Sequence, residues 1–428
     1  MNRLLFRGAR LLDPESGLDA CGDLLIEGDR IAAFGAHLSV EARDAETIGA
    51  EGLCLAPGLV DMRVQLREPG AEHMESIETG GQAAAAGGVT TMVALPNTDP
   101  PVDDVSVVEF LARRAREAKL AKVHTYAAAT KGLAGRDLTE MGLLAANGAL
   151  GFTDGVRAIA DALVMRRVLA YARTFDLLVV QHPEEPSLAR AGEVSEGEVA
   201  TRLGLPAIPP AAEVIMIERD LRLVEITGGR YHVAHVSTAA GVEAIRRAKT
   251  RGLAVTCDTA PPYFVLNEME IGDYRTFAKL SPPLRSEGDR QAVVAGLRDG
   301  TIDAIASDHS PWDQDSKRLP FGSAAYGIVG LETLLPLSLE LYHNHHLDLL
   351  DLMRRLTLKP AQILGLLVGR LAPGAPADLV LFDPDPAWQI STDAFRSKSK
   401  NAPFDGRPVR GRVRRTIVDG RTIFEAAD

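Results

Sequence analysis

The chain has 428 residues, 25% of them charged and 46% hydrophobic, with a net charge of −11. That length suits a large α/β barrel with an appendage better than one small domain, and the acidic balance argues against a nucleic-acid surface. No apolar run approaches the ~20 residues needed to span a bilayer, and the N-terminus lacks the form of a signal peptide, so no membrane association is expected.

Cys21, Cys54 and Cys257 lie far apart and make no zinc-type pair. They point to a reducing, cytoplasmic compartment, and each is expected to be a small buried apolar residue. Residues 4–12 form a strand candidate. Residues 23–26 and 31–34 flank Glu27-Gly28-Asp29-Arg30 as a hairpin, and 53–55 is a further short strand. This β unit is too small to bury much by itself.

From Pro57 onward, short apolar runs alternate with helical segments. Eight strands are predicted at 59–66, 89–95, 123–128, 149–153, 177–181, 231–235, 254–259 and 302–307. Most are near-continuous apolar runs, as parallel strands covered on both faces should be. Helices are predicted at 75–86, 105–119, 158–174, 211–227, 239–250 and 289–298, between most of the strands. The pattern predicts a (β/α)₈ TIM barrel. The Pro-rich connection 184–210 reads as a long functional loop. Helices at 331–342, 347–355 and 358–367 follow, then a β-rich tail in which 413–418 and 422–424 flank an Asp419-Gly420 turn. The expected division is 1–56 for the first part of a β domain, 57–370 for the barrel, and 371–428 for the rest of the β domain.

Reactive groups of such a barrel sit at the C-terminal ends of its strands. Those ends carry Arg63, Gln65 and Arg67 on strand one, Asn97 on two, Asp154 on four, His182 on five, His235 on six and Asp308 on eight. Ionisable groups converging on one mouth must be paired or liganded. Imidazole and carboxylate suit zinc, and a zinc-bound water is a nucleophile near neutral pH. Asp308 is the candidate proton carrier. Arg67 is the candidate clamp for a substrate carboxylate, with Asn97 as a second contact.

Several motifs carry a resemblance that covers nearly the whole chain: Arg67-Glu68-Pro69-Gly70, Leu95-Pro96-Asn97-Thr98, Gly151-Phe152-Thr153-Asp154, His232-Val233-Ala234-His235-Val236-Ser237 and Ala306-Ser307-Asp308-His309-Ser310-Pro311. The chain resembles the cyclic amidohydrolases, and within them bacterial dihydroorotases with Asp, not a carboxylated Lys, on strand four. The resemblance implies that the N- and C-terminal β segments pair into one composite β-sandwich domain. It also implies pyrimidine biosynthesis as the setting, with dihydroorotate or carbamoyl-aspartate as substrate if the site is active.

The departures cluster at the mouth. Arg63 and Gln65 stand where the family has two metal-binding histidines, Trp312 where it has a substrate-contacting His, and Ser281 where Asn is usual. Pro262-Tyr263 replaces a His pair. A guanidinium stays protonated and offers no lone pair to a metal. Arg63 is therefore expected to pair with Asp154 or Asp308 in place of the missing cation, with Gln65 a neutral hydrogen-bonding filler.

Three readings follow. The first is a degenerate, noncatalytic dihydroorotase-like protein that acts in an oligomer as a structural partner of aspartate transcarbamoylase, a role the resemblance implies. The second is a working dihydroorotase with a reduced zinc site at Asp154, His182 and His235. The third is an amidohydrolase of another cyclic amide, against which the retained Arg67 and Asn97 argue. His343, His345 and His346 read as a helix end. Lys398, Lys400 and the basic run 410–415 read as solvated edges or partner contacts. Glu184-Glu185 reads as a solvated loop.

Overall fold

The computed structural model describes residues 3–38 and 44–427. Strands Leu59–Val64, Val89–Ala94, Lys122–Ala127, Ala149–Phe152, Leu178–Gln181, Arg230–Val233, Val255–Thr259 and Ala304–Ile305 run in chain order as one eight-stranded sheet. The pairs are parallel throughout. A parallel bridge from Val64 to His309 brings the first strand to the eighth, closing the expected (β/α)₈ barrel. Every residue of the first two strands is buried, because one face meets the barrel interior and the other the helices. The interior holds Val60, Met62, Val93, Tyr126, Leu178 and Val180, and helix Leu358–Leu364 adds Ile363 and Leu364 at its foot. Each such aliphatic side chain contributes about 1.5–3 kcal/mol by leaving water.

Helix starts follow local capping chemistry. Ser76 opens Ile77–Ala86 in a reciprocal cap with Thr79. Thr238 opens Ala239–Thr250 and Ser286 opens Glu287–Asp299 by accepting from backbone N–H groups. The helix predicted from 158 begins only at Ala162, because the Asp161 carboxylate accepts from the N–H groups of Leu163 and Val164. The connection 184–210 is more ordered than expected. It holds helices Pro186–Ala189 and Glu198–Leu203, and strands Val194–Ser195 and Ala207–Ile208 pair with each other. Val194, Val199 and Ala200 pack there on Leu266, Ile271 and Leu280, which makes local structure pay its way.

The β segments at the two ends combine, as the resemblance implies. Strand Leu379–Gln389 runs antiparallel to Cys54–Pro57, which pairs with Arg3–Asp13. Strands Leu18–Glu27 and Arg30–Gly35 extend one side, and Pro408–Val418 and Arg421–Glu425 the other. The last hairpin turns at Asp419 and Gly420, both with positive φ (48° and 68°), as a type I′ turn requires. Leu4, Phe6, Leu24 and Ile26 from one end meet Leu379, Leu381 and Ile417 from the other in one apolar core.

One expectation needs correction. Cys21 is exposed, because its stretch of strand Leu18–Glu27 lies outside the buried run that begins at Gly22; Cys54 and Cys257 are buried. The segment around Lys398 and Lys400 is a half-open edge, as expected: Lys398 is exposed and Lys400 half-buried, while Ser397 and Ser399 are buried. Lys398 Nζ donates to the Glu72 carbonyl (2.6 Å), Lys400 Nζ to that of Ser397 (2.9 Å), and the Ser399 hydroxyl to that of Met74 (2.7 Å). The bonds to Glu72 and Met74 strap the tail across the barrel mouth. Among the described residues no helix is long and apolar enough to cross a membrane.

Candidate functional site

The strand ends converge as the sequence suggested, but the groups satisfy one another. Arg63 is 2% exposed, and its Nε donates to Asp308 Oδ1 at 2.8 Å. The expected ion pair is therefore present, and its partner is Asp308, not Asp154. The other Asp308 oxygen accepts from His235 Nδ1 at 3.0 Å. His235 Nε2 lies 2.8 Å from His182 Nδ1, and His182 Nε2 lies 3.4 Å from the Ser281 hydroxyl. The single Ser281 hydroxyl proton is donated to Glu184 Oε2 (3.5 Å), so its oxygen accepts from His182 Nε2–H, His182 Nδ1 accepts from His235 Nε2–H, and His235 Nδ1–H donates to Asp308. The result is a continuous relay from Ser281 through both imidazoles to Asp308, closed by Arg63.

The electrostatics agree with this relay. Burial alone would raise the Asp308 pKa, but His235 and Arg63, by charge and hydrogen bond, hold the carboxyl well below its usual range. Burial, then His235 and the Arg63 charge, push His182 well below its ordinary value, so it stays neutral. His235 and Asp308 also sit at positive φ, 37° and 52°. Non-glycine residues held there are strained, and such strain clusters at functional positions.

Asp154 is occupied elsewhere. Its oxygens accept from the Thr130 N–H (2.9 Å) and the Thr130 hydroxyl. Thr130 follows strand three, and nothing local in the sequence marks it as the partner. Gln65 fills its place as a neutral bridge: Nε2 donates to Ser310 Oγ and Oε1 accepts from Asn97 Nδ2, both at 2.9 Å. Arg67 Nε donates to the Pro311 carbonyl (3.0 Å), and its guanidinium lies 4.4 Å from the Trp312 ring centroid. Burial lowers the Arg67 pKa to about 10. The Trp312 indole N–H donates to the Tyr326 carbonyl at 2.7 Å, which fixes the ring over Arg67. Both candidate substrate contacts, Arg67 and Asn97, are thus engaged within the protein.

The donor set does not fit a zinc ion in this arrangement. Two zinc-bound nitrogens in a tetrahedral site lie about 3.3 Å apart, given Zn–N bonds near 2.05 Å. The 2.8 Å between His182 and His235 is a hydrogen bond. Asp154 is held by Thr130, and a guanidinium already neutralises Asp308. Among the described residues no group of three His, Cys, Asp or Glu side chains is arranged to hold a metal.

Several contributors escaped the sequence reading. Asn401, from the tail, donates to the Ser310 carbonyl (3.0 Å) and accepts from the Trp312 N–H (3.1 Å), so a residue from the far end of the chain sets the loop after strand eight. Asp61, buried inside the barrel, accepts from the N–H groups of Arg63 and Ser307, and burial pushes its pKa up to about 7. Tyr263 lies edge-on to His235, with its hydroxyl bonded to the Pro282 carbonyl (2.9 Å). Glu184 and Glu185 are half-buried. The Glu184 carboxylate accepts from Ser281, and burial raises its pKa to about 7. Glu184 and His182 line a cleft of about 920 Å³ with Arg136, Arg157 and Arg190. Of the histidine-rich spot, His343 bonds the Pro384 carbonyl at 2.9 Å and His345 and His346 are exposed, an ordinary helix end.

Comparison with known proteins places this geometry in a family. Residues 52–240 match the family model described as Dihydro-orotase-like, and residues 197–424 match that of the Amidohydrolase family. A protein of Anaplasma phagocytophilum named dihydroorotase is 47% identical over 98% of this chain and 94% of its own length. Another so named, from the Wolbachia of Drosophila simulans, is 46% identical over 99% and 96%. Among solved structures, the L-hydantoinase of Arthrobacter aurescens superposes with a TM-score of 0.88 at 27% identity, over 100% of this chain and 97% of that one.

Proposed function

The chain belongs to the dihydroorotase family of the amidohydrolases, and from that footing we propose that it is a noncatalytic member. One observation carries the reading: the buried Arg63 guanidinium bonded to Asp308, where the family resemblance calls for a metal ligand. A permanent cation there compensates Asp308 without a metal, and the imidazoles that would bind one are bonded to each other. In this reading the barrel serves as a scaffold in a cytoplasmic oligomer, with aspartate transcarbamoylase as the partner that the resemblance implies. A fold kept whole around a self-satisfied site is what a scaffold role predicts.

A second reading is supported by the 44–47% identity to relatives named dihydroorotase and by the retention of Asp308, His182 and His235. It is an active dihydroorotase that interconverts dihydroorotate and carbamoyl-aspartate. For zinc to bind, the His182–His235 bond would have to open and Asp154 would have to leave Thr130.

The deciding experiment is dihydroorotate hydrolysis by the purified chain with added zinc, alongside Asp308→Asn as a control for host contamination. The noncatalytic reading expects equal silence from both. Turnover that disappears in Asp308→Asn establishes the second reading. Size-exclusion chromatography with aspartate transcarbamoylase from the same organism tests the scaffold role: co-elution supports it, and separate elution removes it.

A further inference from the structure

A second concavity lies at the opposite end of the barrel from the site above. Its volume is about 460 Å³, and it is formed between helix Val105–Ala118, the beginning of strand Lys122–Ala127 and the final hairpin of the β domain. Val108, Leu111, Ala115 and Val123 line it with apolar surface. Arg116, Lys119, His124 and Arg421 line it with polar groups. Lys122 also faces it but is committed, its ammonium bridging Asp378 and Asp419 at 2.7 Å each.

The other cations are free. No hydrogen bond or ion pair engages the side chains of Arg116, Lys119 or Arg421 among the described residues, and the His124 imidazole has no hydrogen-bond partner there either. Burial, then the Lys122 charge, lowers the His124 pKa, leaving a neutral ring able to donate or accept. Other surface arginines are committed to carboxylates, as in Arg246 with Glu243 and Asp299, and Arg247 with Glu218. Here three cations without such partners and an unbonded imidazole surround one apolar concavity. An apolar cleft with a few converging polar groups is the form that small-ligand sites take, and the volume lies within their usual range.

We propose that this cleft binds a small amphipathic anion, with its apolar ring body against Val108, Leu111 and Val123 and its phosphate, sulfonate or carboxylate group among Arg116, Lys119 and Arg421. Such a ligand touches the barrel through helix Val105–Ala118 and the β domain through Arg421. Binding therefore ties the two together, as Lys122 already does.

The test uses the full chain and two fluorescent probes, 8-anilinonaphthalene-1-sulfonate and its uncharged analogue N-phenyl-1-naphthylamine. The sulfonate is expected to bind at one saturable site, at least tenfold more tightly than the neutral analogue. Arg116→Glu with Arg421→Glu, both at exposed positions, should weaken the sulfonate at least tenfold and leave the neutral analogue unchanged. Ala115→Trp, which fills the cleft but keeps every charge, should abolish both. Sulfonate affinity unchanged in the charge-reversed protein, or equal affinity for the two probes, overturns the proposal. So does undiminished binding by a folded Ala115→Trp protein, with folding checked by circular dichroism.

Discussion

Replacing Arg63 by leucine removes the cation at the centre of the mouth while keeping much of its volume. Breaking a buried ion pair from one side costs about 3–5 kcal/mol, because the remaining charge loses its compensation. Two features of the structure reduce that cost here. Asp308 keeps its bond from His235 at 3.0 Å and its side chain is 13% exposed, which favours the low end of the range. Arg63 Nη1 and Nη2 are themselves buried without hydrogen-bond partners, so their loss returns about 1 kcal/mol of desolvation. The net expectation is a loss of about 2 kcal/mol. The pH dependence has a fixed sign. The folded pKa of Asp308 lies below its unfolded value, so the stabilisation is complete above about pH 4 and fades as pH falls further. The advantage of wild type over Arg63→Leu should therefore be level from about pH 5 to 8 and shrink in stronger acid. Trp312 and Trp388 are the only tryptophans. In a Trp388→Phe background, urea unfolding followed by Trp312 fluorescence therefore reports on the barrel mouth. The cycle with Asp308→Asn should show coupling of about 2 kcal/mol, the double variant being less damaged than the sum. Additivity within about 0.5 kcal/mol, or an Arg63→Leu protein as stable as wild type, refutes the counter-ion role.

Other consequences are equally direct. Burial raises the folded pKa of Asp61 to about 7, so its ionisation penalises folding increasingly as pH climbs from its unfolded value toward 7; Asp61→Asn should gain stability relative to wild type across that window in urea titrations at pH 5 and 8. Gly420 has φ +68° and a Cβ there would lie 1.9 Å from the Gly28 carbonyl oxygen, so Gly420→Ala should lose at least about 2 kcal/mol in thermal unfolding. Excess chelator should leave the wild-type melting temperature unchanged, whereas Arg63→His with Gln65→His should raise the zinc content measured by atomic emission. A metal-dependent melt of the wild type contradicts the self-paired site.

The barrel was readable in the sequence because its signals are local. Continuous apolar runs such as those at 89–95 and 177–181 mark strands buried on both faces, and the helices 211–227 and 239–250 match Ala211–Thr227 and Ala239–Thr250 end to end. The types of residue at the mouth were legible too, since most strand ends carry a polar group, and Arg63 and Gln65 stand in the sequence where the resemblance implies histidines. What each group does was not legible. Arg63 and Asp308 are 245 residues apart, and the choice between Asp308 and Asp154 depended on Thr130 having already taken the latter. Asn401 reaches Ser310 across 91 residues, and the tail strap rests on carbonyls of Glu72 and Met74. Secondary structure follows from the periodicity of neighbouring side chains, so the chain declares it piece by piece. Hydrogen-bond allegiance in a buried site follows from which donors and acceptors come within about 3 Å once water is gone, and only the folded backbone sets those distances.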